Sequence, residues 1–116
     1  MTVLSDADAI RLHPELAYLI TLRDIGWKFL PVVADGGLNE LDGFRAWPDG
    51  WVDGLRIYSP TNALGIRMAP TEPPTLTWEQ AGTLSHVVAG LLTLPAPDDR
   101  TAPRLAIGSG PTLWTP

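Results

Sequence analysis

Between residues 27 and 68 apolar and polar side chains change places with a period of two, the pattern of strands that bury one face. Trp27, Phe29 and Val33 share one side of the first such run and Leu30 and Val32 the other. Pro31 has no amide to donate, which suits an edge strand. Asp35-Gly36-Gly37 is a hairpin-turn signal. Three further strands are predicted over 38–47, 51–58 and 62–68, joined by the turns Trp47-Pro48-Asp49-Gly50-Trp51 and Ser59-Pro60-Thr61. Short connections of this kind build a four-stranded antiparallel meander.

The turns also set a register. Pairing Trp47 with Trp51 places Leu41 opposite Ile57 and Asp42 opposite Arg56, unless a bulge near Asp42-Gly43 shifts it by one. Pairing Tyr58 with Ala63 places Ile57 opposite Leu64 and Arg67 opposite Gly54. The rows Leu41, Ile57, Leu64 and Gly43, Leu55, Ile66 then form an aliphatic face. The other face carries Asp42, Phe44, Arg56, Tyr58 and Arg67.

Helical spacing brackets this sheet. Ser5 can cap a helical segment over 5–25 whose first turn holds Asp6 and Asp8. Pro14 divides it into a lead-in turn and a helix from about His13, or kinks it. Leu12, Leu16, Leu19, Ile20 and Arg23 lie along one side, and Gly26 provides the stop. After the rigid connector 71–74, Thr77 and Gln80 match a capping box for a second helix reaching Leu92. Ala81, Leu84, Val88 and Leu91 are its apolar stripe, widened by Val87 and Trp78, while Glu79, Thr83 and His86 line the wet side. Gly82 and Gly90 in such a helix imply close packing.

From residue 95 onward proline, alanine and glycine dominate, yet Leu105-Ala106-Ile107 and Leu113-Trp114 are retained. An extended arm over 95–116 is therefore expected to pack on its own domain or on a second copy, with 105–107 adding a strand to an open sheet edge. The expected fold is α+β: one domain over 1–116, with a four-stranded antiparallel meander, two helices on one face and this C-terminal arm.

The chain has 116 residues, 45% hydrophobic and 18% charged, which suits a single globular domain. The net charge of −5 offers no general attraction to phosphate backbones or anionic membranes, so neither nucleic acid nor membrane is an expected partner. No apolar run reaches the roughly 18 residues of a membrane span, and the acidic start is unlike a secretory signal, which points to the cytoplasm. The absence of cysteine removes thiolate metal sites and thiol nucleophiles and suits a reducing compartment.

Candidate chemistry is sparse. His13 and His86 have no second ligand at metal spacing, and His86 beside Glu79 and Thr83 reads as a solvated histidine. Asp6-Ala7-Asp8 is explained by capping and Asp98-Asp99 by a loop, and Gly108-Ser109-Gly110 lacks the frame of a nucleophile elbow. No cofactor, metal or catalytic residue is indicated. Arg45, Arg56 and Arg67 recur once per strand. Arg56 and Arg67 with Tyr58 could hold a small anion, or simply cover an exposed sheet face with Asp42 as neutralising partner. Of five tryptophans, Trp27 and Trp78 fit the core and Trp47 and Trp51 can stack across their turn, leaving Trp114 without a structural task.

Gly26-Trp27, Arg45-Ala46-Trp47-Pro48, the segment 83–97 ending Leu91-Leu92-Thr93-Leu94-Pro95-Ala96-Pro97, and the closing Leu113-Trp114-Thr115-Pro116 resemble small uncharacterised proteins of actinobacteria. The resemblance covers most of the chain and implies no activity, cofactor or site residue. The leading expectation is a non-catalytic cytoplasmic interaction or regulatory module, a homodimer formed through the open sheet face or the arm. Its contact residues are Trp114, Leu113, Phe44, Tyr58, Arg56 and Arg67. The alternatives are a protein or enzyme binding a small anionic ligand between sheet and helix, and an inhibitor or immunity-type protein for a basic target.

Overall fold

The protein is described here by a computed structural model that covers residues 16–34 and 37–109. The predicted capping at Ser5, Asp6 and Asp8, the histidine at 13, the Asp35-Gly36 turn and the terminal Leu113-Trp114 lie outside the described residues. Helix α1 (Leu16–Asp24) is followed by strands β1 (Lys28–Ala34), β2 (Gly37–Ala46), β3 (Val52–Ser59), β4 (Asn62–Ala69) and β5 (Thr75–Gly82). Helix α2 (Leu84–Thr93) and a two-residue strand β6 (Gly108–Ser109) complete the order. The strands form one antiparallel sheet in sequence order. The fold is α+β as expected, with five full strands and a short sixth in place of four.

α1 ends as its sequence requires. Gly26 at φ 110° donates its amide to Arg23 O at 3.1 Å, and Trp27 N–H returns to Leu22 O at 3.0 Å. Trp27 then enters the core beside Leu22. Across the second hairpin the expected register holds without a bulge: Leu41 faces Ile57, and Asp42 faces Arg56. The irregularity lies instead in the first hairpin, between Val32 and Val33.

The third hairpin departs from expectation by one residue. Its turn closes with Ser59 opposite Asn62, but a bulge between Ile57 and Ser59 then slips the ladder, so that Ile57 faces Ala63. Arg67 therefore lies opposite Asp53, not Gly54, and Gly65 lies opposite Leu55. A one-residue slip moves every β4 side chain to the other face. Leu64 and Ile66 leave the predicted aliphatic rows, and Arg67 leaves the predicted polar face. Two packing relations favour the slip. Asp53 and Arg67 meet as a buried pair, and Gly65 sits beneath Val87 and Trp78, where a Cβ would crowd both.

The segment 75–82 is a strand, not the start of the second helix. Thr75, Thr77 and Trp78 favour extended backbone, and this stretch pairs with β4 from Ala63 opposite Gly82 to Ala69 opposite Thr75. The helix is capped six residues later than predicted: Thr83 Oγ1 accepts from His86 N–H at 3.2 Å. Leu84 N–H also donates to Pro60 O at 2.9 Å, fastening the helix start to the β3–β4 turn. Glu79 thus belongs to a strand and is not a helical neighbour of His86.

α2 buries Leu84, Val87, Val88 and Leu91 against Leu22, Trp27, Leu55 and Ala63, with Phe29, Ile57 and Trp78 at the margin. Each fully buried aliphatic side chain contributes roughly 1.5–3 kcal/mol. Gly90 permits the close approach that its sequence position implied, since a Cβ there would collide with the Gln80 side chain and press on Trp78. Ile66 and Met68 form a second cluster with Val52, Leu64 and Leu76.

Candidate functional site

The slipped register assembles a row across the helix-side face of the sheet: Arg45, Asp53, Arg67 and Trp78 on β2, β3, β4 and β5. Arg67 is 0% exposed and the Asp53 side chain 4%. The guanidinium grips the carboxylate with both prongs, Nε to Oδ1 at 2.6 Å and Nη2 to Oδ2 at 2.9 Å. Its third nitrogen, Nη1, donates to Pro95 O, which ties the start of the C-terminal arm to the sheet. Asp53 Oδ2 also accepts the Trp47 indole N–H at 3.0 Å. Arg45 Cζ lies 4.1 Å from the Trp47 ring centroid and Arg67 Cζ 5.5 Å, both within cation–π range.

The opposite face holds the other predicted residues. Arg56 donates to Asp42 from Nε at 2.8 Å and from Nη2 at 2.7 Å, and both side chains are mostly buried. Those hydrogen bonds raise the Arg56 pKa above its ordinary value, against the desolvation that lowers it; Tyr58 adds a smaller raising contribution. Phe44 is partly buried and Tyr58 exposed. The middle of this face is closed, with Ile66 1% and Met68 3% exposed. Phe44, Tyr58 and Arg56 therefore share a face whose centre is apolar and inaccessible, and Arg67 lies on the other side of the sheet. The anion site predicted from Arg56, Arg67 and Tyr58 does not assemble, because those side chains point to opposite faces.

Trp47 and Trp51 pair through the backbone, Trp47 N–H donating to Trp51 O at 2.8 Å. The described contacts of the Trp47 ring are with arginines and Asp53. Trp27 takes its predicted core position, whereas Trp78, expected in the first turn of the second helix, stands on β5 and packs half-buried at the margin of the core. His86 is exposed, and no group of three or more metal-ligating side chains occurs among the described residues. No described helix is long and apolar enough to cross a membrane.

The arm is anchored in its own chain as far as residue 109. Asp99 N–H donates to Ala96 O, and Asp99 Oδ1 accepts from Thr101 N–H at 2.8 Å and from Thr101 Oγ1–H at 2.6 Å. These two bonds lower the Asp99 pKa. Ala102 is buried, Ile107 N–H donates to Leu76 O at 2.7 Å, and Gly108 and Ser109 pair with Leu76 and Thr75. The edge strand thus forms slightly beyond the predicted 105–107. Leu105, at a bend, is 84% exposed, and Ile107, just before β6, is 61% exposed.

Asp53 was missed by sequence reasoning, although a signal existed. Asp42 and Arg56 are 14 residues apart, and so are Asp53 and Arg67, so the two consecutive hairpins repeat one acid–arginine spacing. No protein-family model, curated protein or solved structure matches the chain.

Proposed function

We propose that the protein is a non-catalytic, cytoplasmic interaction module that pairs with a second copy of itself through the C-terminal arm and the sheet edge beside it. The observation that carries this reading is the anchored, solvent-facing pair Leu105 and Ile107. An arm held by Arg67 at one end and Leu76 at the other presents two aliphatic side chains to water, a cost that contact with a partner would remove.

The edge supplies the reason for a second copy. β6 pairs only with Thr75 and Leu76, and no strand among the described residues lies beside the outer edge of β5 from Thr77 to Gly82. An open edge next to exposed aliphatic side chains is self-complementary: each copy offers what the other lacks, as an isologous interface requires. The use of Arg56 and Arg67 in internal ion pairs further supports an interaction role over an anion-binding one.

Light scattering across a concentration series tests the proposal. A mass that rises toward twice the monomer in the wild type, and stays monomeric in Leu105→Ser/Ile107→Ser, is expected. A monomeric wild type at every concentration, or a double variant that associates equally well, would overturn it.

A further inference from the structure

Where the Trp47 turn meets the beginning of the arm lies a cleft of about 440 Å³, lined by Trp47, Pro48, Asp49, Ala96, Pro97 and Asp98. Both walls are fixed. On one side Trp47 N–H bonds to Trp51 O, and Gly50 N–H bonds to Trp47 O at 3.1 Å with Gly50 at φ 90°, a conformation open to glycine. On the other, Arg67 holds Pro95 O and Asp99 N–H closes a turn onto Ala96 O. The cleft thus needs little reorganisation to receive a ligand.

Its lining has a definite chemistry. An indole, two proline rings and an alanine methyl form an apolar trough, and Asp49 and Asp98 supply two negative charges. Neither carboxylate has a hydrogen bond or ion pair among the described residues. No lysine or arginine is among the lining residues. The Trp47 ring already carries the Arg45 and Arg67 guanidinium groups, 4.1 and 5.5 Å from its centroid, so to the cleft it offers an apolar wall, and the attraction for a cation comes from the two carboxylates. Unpaired carboxylates beside an aromatic and aliphatic wall suit a positive head on an apolar stem, and the net charge of −5 adds a long-range attraction of the same sign.

We infer that the Trp47–Asp98 cleft binds a cationic group on an aliphatic stem, the side chain of arginine being the best fit. Guanidinium offers forked donors to the two carboxylates and its stem packs on the proline rings, a combination that ammonium only partly reproduces. The site is separate from Leu105 and Ile107 and does not depend on the pairing of two copies.

The test uses the full chain and two probes, N-acetyl-arginine amide and an alanine tripeptide with central arginine, each matched with its neutral citrulline counterpart. Binding is read as backbone amide shifts in low-salt buffer. Saturable shifts at residues 47–50 and 96–98 with both arginine probes are expected, absent with citrulline and weakened at least tenfold in Asp49→Asn/Asp98→Asn. Tighter binding of the tripeptide would assign the site to a peptide, and equal binding to a free small cation. Because the variant keeps its side-chain shapes, an unchanged spectrum elsewhere confirms its fold. Absence of saturable shifts, equal binding of citrulline, or an unaltered response in the variant would overturn the inference.

Discussion

Replacing Asp53 with asparagine preserves the shape of the side chain and an acceptor for the Trp47 indole, but leaves the Arg67 charge without its counter-charge at 0% exposure. Removing one partner of a buried ion pair costs about 3–5 kcal/mol, because the remaining charge is desolvated and uncompensated. The bond from Arg67 to Pro95 O survives the change and places the expected loss near the lower end, about 3 kcal/mol. Against a total stability of about 5–15 kcal/mol for a domain of this size, that is a large fraction. Arg67→Met should cost a similar amount by stranding the Asp53 carboxylate. Asp53→Asn/Arg67→Met removes both charges, so it should lose less than the sum of the single changes by about 1–3 kcal/mol. Urea unfolding followed by tryptophan fluorescence measures all three. Single variants that each lose under about 1 kcal/mol, with additive effects, would refute the reasoning that this pair is dry and coupled.

Other consequences can be checked with equal economy. Gly90→Ala should change stability by less than about 1 kcal/mol, because the better helix propensity of alanine offsets the crowding of Trp78 once the flexible Gln80 amide swings aside; thermal unfolding decides this. Arg67→Met should also speed amide exchange at 96–102, since the arm loses its bond at Pro95, whereas Arg56→Met should leave those amides unchanged. Asp99 titrates below its unfolded value, so its contribution to stability is complete above the ordinary aspartate range. That contribution should be lost as pH falls through the depressed folded value; Thr101→Val should bring the Asp99 carboxyl shift back toward the ordinary range in an NMR titration.

Much of the sheet was legible because turn chemistry sets local register. Trp47-Pro48-Asp49-Gly50-Trp51 pairs its two tryptophans, and from that closure Leu41 meets Ile57 and Asp42 meets Arg56 by counting alone. The bulge beyond Ile57 was not legible, since the turn at Ser59 and Asn62 is compatible with either ladder. What selects the slip is tertiary: the Asp53–Arg67 pair and the bare Gly65 under α2. The fifth strand was hidden by competition between two signals, Thr77 and Gln80 matching a helix cap while Thr75, Thr77 and Trp78 favour extended backbone. Pairing with β4 decides between them, and Thr83 takes the cap. At the candidate sites, the apolar content of the arm was legible. The exposure of Leu105 and Ile107 was not, because it depends on where the Ile107 amide docks.

The most direct test of the arm as the contact surface is a methyl NMR spectrum recorded over a wide range of protein concentration. Concentration-dependent shifts at Leu105 and Ile107, with the methyls of Leu30 and Leu92, which are also exposed, unmoved, are the expected result. Methyls of Leu105 and Ile107 that stay fixed while those of Leu30 or Leu92 shift would place the contact elsewhere and contradict the account.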